Sequence, residues 1–232
     1  MIEIGGLQKL TLIDYPGRLA ATVFIIGCDF RCPFCYSPEL VLPEKIKNQP
    51  RISEKDFFDF LKKRKGLLEG VVICGGEPTI HQKLPDFCEK IKKLRYLVKL
   101  DTNGSNPRML KKLINEKLID YVAMDIKAPK AKYSEAAGVK VNIKKIEESI
   151  DILKKGKIDC EFRTTVVPTI HKKEDILKIA QWIRSAKKYY LQNFRPEKTI
   201  NPKFEKIKPY PQEYLLEIQK AISPFFEICQ VR

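Results

Sequence analysis

Residues 20–36 read AATVFIIGCDFRCPFCY and combine an apolar run with three closely spaced cysteines. The apolar run is short and rich in β-branched residues, so Ala21–Ile26 is predicted to form a buried strand. Cys28, Cys32 and Cys35 follow it directly in the spacing Cys-x3-Cys-x2-Cys. A loop with this spacing can bring three thiolates to one metal centre, and thiolates are the ligands that iron–sulfur clusters use.

Strand-like segments recur along the rest of the chain, with helical patterns between them. Five more short apolar segments are predicted strands, namely Gly70–Cys74, Leu97–Asp101, Ile119–Asp125, Asp159–Val167 and Lys188–Phe194. Two of the intervening amphipathic segments follow the predicted N-caps Ser53 and Asn106. Strands that alternate with amphipathic helices indicate βαβ crossovers and a parallel sheet. Six such units predict an α/β fold in the form of a partial (β/α)6 barrel.

No segment has the composition of a linker, so residues 1–232 are predicted to form a single domain. Its core spans about residues 18–196, and residues 197–232 form a C-terminal extension with an irregular, proline-containing start. The run from Pro209 onward is predicted to be a helix with a loose tail.

The chain carries a formal net charge of +15, which could attract nucleic acid, an acidic protein or an anionic cofactor. Its lysines are spread through helix-like segments, which favours a solvated surface over a nucleic-acid face. No apolar run is long enough to span a bilayer, and the N-terminus lacks the pattern of a signal peptide. The expected location is the cytoplasm, where cysteines are thiols or metal ligands rather than disulfides.

The cysteine loop offers three ligands, and three ligands leave one position of a metal centre open for a substrate or cofactor. A structural zinc site would need a fourth Cys or His, and the His nearest in sequence is His81. A zinc site or a set of buried thiols remains an alternative. The other four cysteines are isolated in apolar or amphipathic segments and are interpreted as buried thiols; they are Cys74, Cys88, Cys160 and Cys229.

Polar motifs follow later predicted strands, at the end where barrel enzymes collect their active sites. Gly75 and Gly76 would let the backbone approach a ligand closely, and Glu77 offers a carboxylate to an ammonium group. Asp101 and Asp125 each end a predicted strand, and paired carboxylates suit a hard cation. Three more polar residues accompany them in these segments, namely Asn103, Lys127 and Arg163.

The cysteine spacing resembles that of the radical S-adenosylmethionine (SAM) superfamily, and Phe34 matches its aromatic position before the third cysteine. The resemblance implies one 4Fe–4S cluster on the three cysteines, with SAM on the open iron and its reductive cleavage to a 5′-deoxyadenosyl radical. SAM contacts are implied for Phe34, Gly75, Gly76, Glu77, Asn103, Lys127 and Arg163. Apart from the resemblance, a monovalent cation or the substrate is the expected ligand of Asp101, Thr102 and Asp125.

Within that superfamily, residues 4–35 and the following SPELV resemble the activating proteins of anaerobic ribonucleotide reductase. The resemblance implies an activase that makes a glycyl radical on a partner enzyme, with flavodoxin or ferredoxin as the electron donor. Anaerobic ribonucleotide reductase is the first expected partner, and a pyruvate formate-lyase type enzyme is the next. Tyr36 and Ser37 depart from the His-Asn pair that the group has beside bound SAM.

Two other functions remain open from the sequence. One is small-molecule radical chemistry in the same barrel, such as that of 7-carboxy-7-deazaguanine synthase. The other belongs to a different class, a basic RNA-binding module with a zinc-bound cysteine loop. Measuring the iron and sulfide content of the protein would distinguish the zinc-containing RNA-binding module from every radical SAM enzyme.

Overall fold

The computed structural model describes all 232 residues and contains an open eight-stranded sheet whose strands follow one another in chain order. Strands β2 to β8 are parallel to their neighbours, whereas β1 pairs antiparallel with β2. The strands are β1 Ile4–Thr11, β2 Ala20–Ile25, β3 Gly70–Gly75, β4 Leu97–Thr102, β5 Tyr121–Asp125, β6 Asp159–Val166, β7 Lys188–Asn193 and β8 Ile228–Val231.

Helices follow the parallel strands and share one large hydrophobic core with them. None of the helices combines the length and the apolar character that a membrane crossing requires. The α-helices are α1 Pro38–Val41, α2 Pro43–Ile46, α3 Glu54–Lys63, α4 Leu84–Lys93, α5 Pro107–Asn115, α6 Tyr133–Ala137, α7 Ile143–Lys154, α8 Lys173–Trp182 and α9 Gln212–Ile222.

The six predicted strands correspond to β2 through β7, so the predicted α/β partial barrel is confirmed. The two predicted helix caps are also present. Ser53 Oγ accepts a hydrogen bond from the backbone N–H of Asp56 at 3.0 Å, and Asn106 Oδ1 accepts one from that of Met109 at 3.2 Å. These side chains satisfy N–H groups that the first turn of each helix leaves unpaired.

The two edge strands, β1 and β8, were not predicted from the sequence. The prediction of a loose tail after α9 is wrong, because Ile228–Val231 forms β8 and joins the sheet through backbone hydrogen bonds to β7. A strand of four residues is too short to give a periodic pattern. Strand β1 contains Gly5 and Gly6 and three exposed residues, so it also lacks the composition of a buried strand.

The inner face of the sheet carries a small apolar cluster and a group of ion pairs at different levels along the strands. Tyr15, Ala20, Val72 and Tyr121 form a small buried cluster near the start of the strands. Ionic side chains lie further along, toward the carboxyl ends. Because β2 to β6 run in the same direction, the loops that follow them meet at one rim of the sheet.

Candidate active site

The three cysteines lie in the loop that follows β2, at the carboxyl end of that strand. Cys32 is buried, and Cys28 and Cys35 are half-buried. Arg31 holds the loop in shape, because its Nη1 donates to the Cys28 carbonyl at 2.6 Å and to the Phe30 carbonyl at 2.7 Å. Burial raises the pKa of the Cys32 thiol to about 11 and also raises the pKa values of Cys28 and Cys35. The thiols therefore need a positive partner such as iron before they ionise at neutral pH.

Gly75 and Gly76 bring the end of β3 against β2 and the cysteine loop. Gly75 has a φ of +113°, and a β-carbon there would lie 2.4 Å from the backbone nitrogen of Ile25. A β-carbon on Gly76 would lie 1.9 Å from the carbonyl oxygen of Gly27. The two loops are joined by the N–H of Glu77, which donates to that same carbonyl at 2.8 Å. Only glycine fits at these two positions.

Glu77 is 1% exposed and is enclosed between the ends of β3 and β4. Its Oε1 accepts hydrogen bonds from the N–H of Thr79 at 3.0 Å and the hydroxyl of Thr102 at 2.7 Å. Its Oε2 accepts one from the N–H of Asn103 at 2.6 Å. Burial raises the pKa of Glu77 to about 7, although these hydrogen bonds favour the ionised form. The carboxylate expected to meet an ammonium group is thus already bonded to protein donors on both oxygens.

Asn103 connects the β4 loop to the cysteine loop. Its Nδ2 donates to Asp29 Oδ1 at 2.9 Å, while its Oδ1 accepts from the N–H of Ser105 at 2.9 Å. Asp29 was not among the residues predicted from the sequence, although its place between Cys28 and Cys32 was a usable signal. The side chain of Asn103 therefore helps to position the loop that carries the cysteines.

Five charged side chains form a continuous chain of ion pairs on the inner face of β4, β5 and β6. Arg163 donates from Nη1 to Asp101 Oδ2 and from Nε to Asp125 Oδ1, each at 2.9 Å. Lys127 Nζ lies 2.9 Å from Asp125 Oδ2, and the buried Lys99 pairs with Asp101. Burial opposes ionisation of Asp125, but the charges of Arg163 and Lys127 hold its pKa well below its usual range. The five side chains are therefore charged and paired with one another.

The structure brings together most of the residues that were predicted to contact SAM or a cation. Thr102 is placed apart from Asp101 and Asp125, because its hydroxyl donates to Glu77 and accepts from the N–H of Gly104 at 3.1 Å. Phe34 is buried and belongs to the large hydrophobic core.

His171 supports the charged group and was assigned no role from the sequence. Its Nδ1 accepts from the N–H of Val167 at 3.0 Å, which leaves the proton on Nε2 to donate to the carbonyl of Lys127 at 2.8 Å. Burial lowers the pKa of His171 to about 4, so the ring is neutral at pH 7. No local motif surrounds His171, and only the folded chain reveals its contact with Lys127.

Tyr36 points toward the segment that follows β7. Its ring stacks on Phe194 with a centroid distance of 6.1 Å, and its hydroxyl accepts from the N–H of Arg195 at 2.8 Å. Ser37 precedes helix α1 directly. Tyr36, which replaces the His of the similar activating proteins, therefore connects the segment after β7 to the cysteine loop.

The residues of the loop fit a 4Fe–4S cluster by their chemistry. Three thiols in one loop match the ligands of such a cluster and leave one iron open. No three His, Cys, Asp or Glu side chains gather around a point that could hold a single metal ion. A cluster does not require such a point, since each of Cys28, Cys32 and Cys35 would bind a different iron.

Comparison with known proteins agrees with this geometry. The family model of the radical SAM superfamily matches residues 22–183, which run from within β2 to the residue after α8. The chain therefore belongs to the radical SAM superfamily, and it is an enzyme. Membership implies SAM and a 4Fe–4S cluster as cofactors.

Within that superfamily, the chain is similar to glycyl-radical enzyme activating enzymes. It is 33% identical to a Methanocaldococcus jannaschii protein provisionally named as such an enzyme, across 99% of this chain and 95% of that protein. It is 27% identical to the pyruvate formate-lyase-activating enzyme of Clostridium pasteurianum, across 89% of this chain and 87% of that protein.

The fold is also that of solved radical SAM structures. The crystal structure of Streptococcus suis SuiB bound to S-adenosylmethionine matches with a TM-score of 0.65 and 15% identity. The match covers 91% of this chain and 46% of the SuiB chain, so this chain spans about half the length of SuiB. At this level of identity the likeness concerns the fold alone.

Proposed function

We propose that this enzyme cleaves SAM reductively at a 4Fe–4S cluster and leaves a glycyl radical on a partner enzyme, anaerobic ribonucleotide reductase. The observation that carries the proposal is the arrangement at one rim of the barrel. There the cysteine loop follows β2, the glycine pair lies at the end of β3, and the ion pairs of β4 to β6 lie on the inner face of the next three strands. Similarity along 99% of the chain to a protein provisionally named as an activating enzyme supports the same function.

Each group of candidate residues would have its own role in holding the cofactors. Cys28, Cys32 and Cys35 would hold the cluster, which when bound supplies the electron that breaks a carbon–sulfur bond of SAM. Gly75 and Gly76 would lie beside the methionine part of SAM, while their lack of a side chain lets β3 pack against the cysteine loop. Phe34 would contact SAM from its place in the hydrophobic core beside the cysteines. Glu77 would act mainly by holding Asn103 in place, since its carboxylate is already bonded to protein donors.

Lys127 and Arg163 would bind the carboxylate of SAM. Arg163 now bridges Asp101 and Asp125, so SAM would have to draw it away from one or both aspartates. A monovalent cation between the two aspartates is a further part of the proposal, because it would replace the charge of the departing guanidinium.

The partner contact would be broad, because a glycine held in another protein must reach the inside of the barrel. The net charge of +15 supports a contact that is partly electrostatic and weakens with salt. The proposal includes one domain that works in the cytoplasm and takes electrons from flavodoxin or ferredoxin. The likeness to pyruvate formate-lyase-activating enzyme makes pyruvate formate-lyase the second partner to test.

The test is to incubate the reduced, cluster-loaded protein with SAM and the anaerobic reductase of the same cell, and to record the electron paramagnetic resonance spectrum. The expected result is a doublet on the reductase that is lost when its C-terminal radical glycine is changed to alanine. If no radical forms on either glycyl-radical enzyme, while 6-carboxytetrahydropterin is converted in a reaction that requires SAM, the activase proposal is wrong. The chain would then perform the small-molecule chemistry instead.

A further inference from the structure

The segment of residues 195–208 lies directly on the loop that carries the cysteines. The backbone N–H of Ile200 donates to the carbonyl of Cys35 at 3.1 Å, and that of Asn201 donates to the carbonyl of Pro33 at 2.9 Å. Two backbone hydrogen bonds therefore join the segment to residues at and beside the third cysteine. No other layer of the protein intervenes between these two backbones.

The 195–208 segment is held in a defined conformation. Phe204 packs edge-on against the buried Phe194, with ring centroids 6.5 Å apart. Thr199 is buried, and its N–H donates to Glu205 Oε1 at 3.1 Å. Asn201 caps the short 3-10 helix Pro202–Lys206 by accepting from the N–H of Lys203 at 3.1 Å. These contacts give the segment a fixed outer surface.

That outer surface is basic. The segment has five basic and two acidic residues, and both acidic side chains are engaged, Glu197 by Arg195 and Glu205 by the N–H of Thr199. Three lysines are exposed and form no ion pair, namely Lys203, Lys206 and Lys208. Because a 3-10 helix has three residues per turn, Lys203 and Lys206 project from the same face.

We propose that the 195–208 segment is the docking surface for an acidic one-electron carrier protein. This inference rests on the proposed function, since it concerns the delivery of electrons to the cluster held by the cysteine loop. Electron transfer weakens steeply with distance, so a carrier is best placed where a single layer of backbone covers the cysteines. The unpaired lysines there match a carrier with a negative surface. One electron would leave the carrier and enter the cluster, with no other bond or proton changed.

The test compares two triple variants of the full chain. Lys203→Glu, Lys206→Glu and Lys208→Glu together reverse the proposed surface. The matched control changes three exposed lysines at the end of α7 and in the loop before β6, at the opposite end of the barrel from the cysteines: Lys154→Glu, Lys155→Glu and Lys157→Glu. Both variants change the net charge equally, so any difference reports on position.

Two measurements are made with an acidic flavodoxin as the probe. Fluorescence anisotropy of labelled flavodoxin gives its affinity for the chain, with and without the cluster. Stopped-flow absorbance gives the rate at which reduced flavodoxin reduces the cluster. At low ionic strength, we expect the first variant to lose about tenfold in affinity for flavodoxin and about tenfold in the rate of cluster reduction. The control should lose much less in each. The difference should vanish near 1 M salt, where the Debye length falls to about 3 Å.

Chemical reduction separates this inference from the proposed function. With dithionite in place of flavodoxin, the first variant should cleave SAM and activate the reductase like the wild type. If flavodoxin binds and reduces both triple variants equally, the docking surface is wrong. It is equally wrong if the first variant fails to activate the reductase under dithionite, because the segment would then bind the glycyl-radical enzyme. If the wild type cleaves no SAM with dithionite, the proposed function itself fails.

Discussion

The carboxylate of Glu77 accepts a hydrogen bond from the backbone N–H of Asn103 at 2.6 Å, and this contact joins the loops that follow β3 and β4. Asn103 donates in turn to Asp29 in the cysteine loop. One buried carboxylate thus controls the spacing between the glycine pair, the β4 loop and the cysteines. Its effect on SAM would pass through Asn103.

Glu77→Gln should therefore weaken SAM binding and leave cluster assembly intact. The amide has one acceptor oxygen where the carboxylate has two, so at least one buried N–H or O–H donor loses its partner. The lost hydrogen bond to a charged group should lower the free energy of unfolding by about 1.5–3 kcal/mol, and the displaced Asn103 should raise the Kd for SAM. Calorimetric titration of SAM measures the Kd, and iron analysis measures the cluster. Glu89→Gln, on the exposed side of α4, is the control.

Arg163 should be irreplaceable by lysine. Its guanidinium reaches Asp101 and Asp125 at once, whereas a single ammonium group cannot reproduce that fork. Both Arg163→Ala and Arg163→Lys should lose about tenfold or more in SAM affinity, with unchanged iron content. Wild-type affinity in Arg163→Ala and in Glu77→Gln together would refute the placement of SAM at this rim.

His171 should make the stability of the protein depend on pH below 7. Its pKa is about 4 in the folded protein, compared with about 6.5 when unfolded. Between these values the unfolded chain binds a proton that the folded chain does not, so the free energy of unfolding falls as the pH drops from about 6.5 to about 4. The loss from this group approaches about 3 kcal/mol.

The variant His171→Gln tests this dependence. Its stability at pH 7 should be lower than that of the wild type, but its decline between pH 6.5 and pH 4 should be shallower. Urea denaturation at several pH values measures both. Identical slopes for the two proteins would show that His171 is not the group responsible.

Gly76 should tolerate no side chain, even though its backbone is not in the left-handed region. A β-carbon there would overlap the carbonyl of Gly27 and push the cysteine loop away from β3. Gly76→Ala should therefore lower the iron content of the reconstituted protein and its Tm. Gly17→Ala is the control, since Gly17 has a φ of +69° but open space around it. If Gly76→Ala takes up a full cluster, the close approach has no role in shaping the loop.

Local sequence patterns were sufficient to predict the six parallel strands. They also predicted that most candidate residues lie at the same rim of the sheet. Strand periodicity and cap residues depend on neighbours in the chain, and parallel strands then place their carboxyl ends together. The cysteine loop was recognisable for the same reason, because its three ligands lie within eight residues.

The remaining contacts could not be predicted, because they join residues far apart in the chain. The bond between Arg195 and Tyr36 spans 159 positions, and the one between His171 and Lys127 spans 44. The direction of the Glu77 carboxylate depends likewise on Thr102 and Asn103, which belong to the next strand. Such contacts follow from tertiary packing, which a local pattern does not encode.

The most direct test of a cluster held by three cysteines is reductive SAM cleavage by Cys32→Ala and Cys88→Ala, compared with the wild type. Cys32 is one of the three proposed ligands, while Cys88 is an equally buried thiol on α4, away from the loop. Anaerobic reconstitution, reduction with dithionite and quantification of 5′-deoxyadenosine give the result. The wild type and Cys88→Ala should produce 5′-deoxyadenosine, and Cys32→Ala should produce none and lack the 4Fe–4S signal. Reductive SAM cleavage by Cys32→Ala would contradict the account.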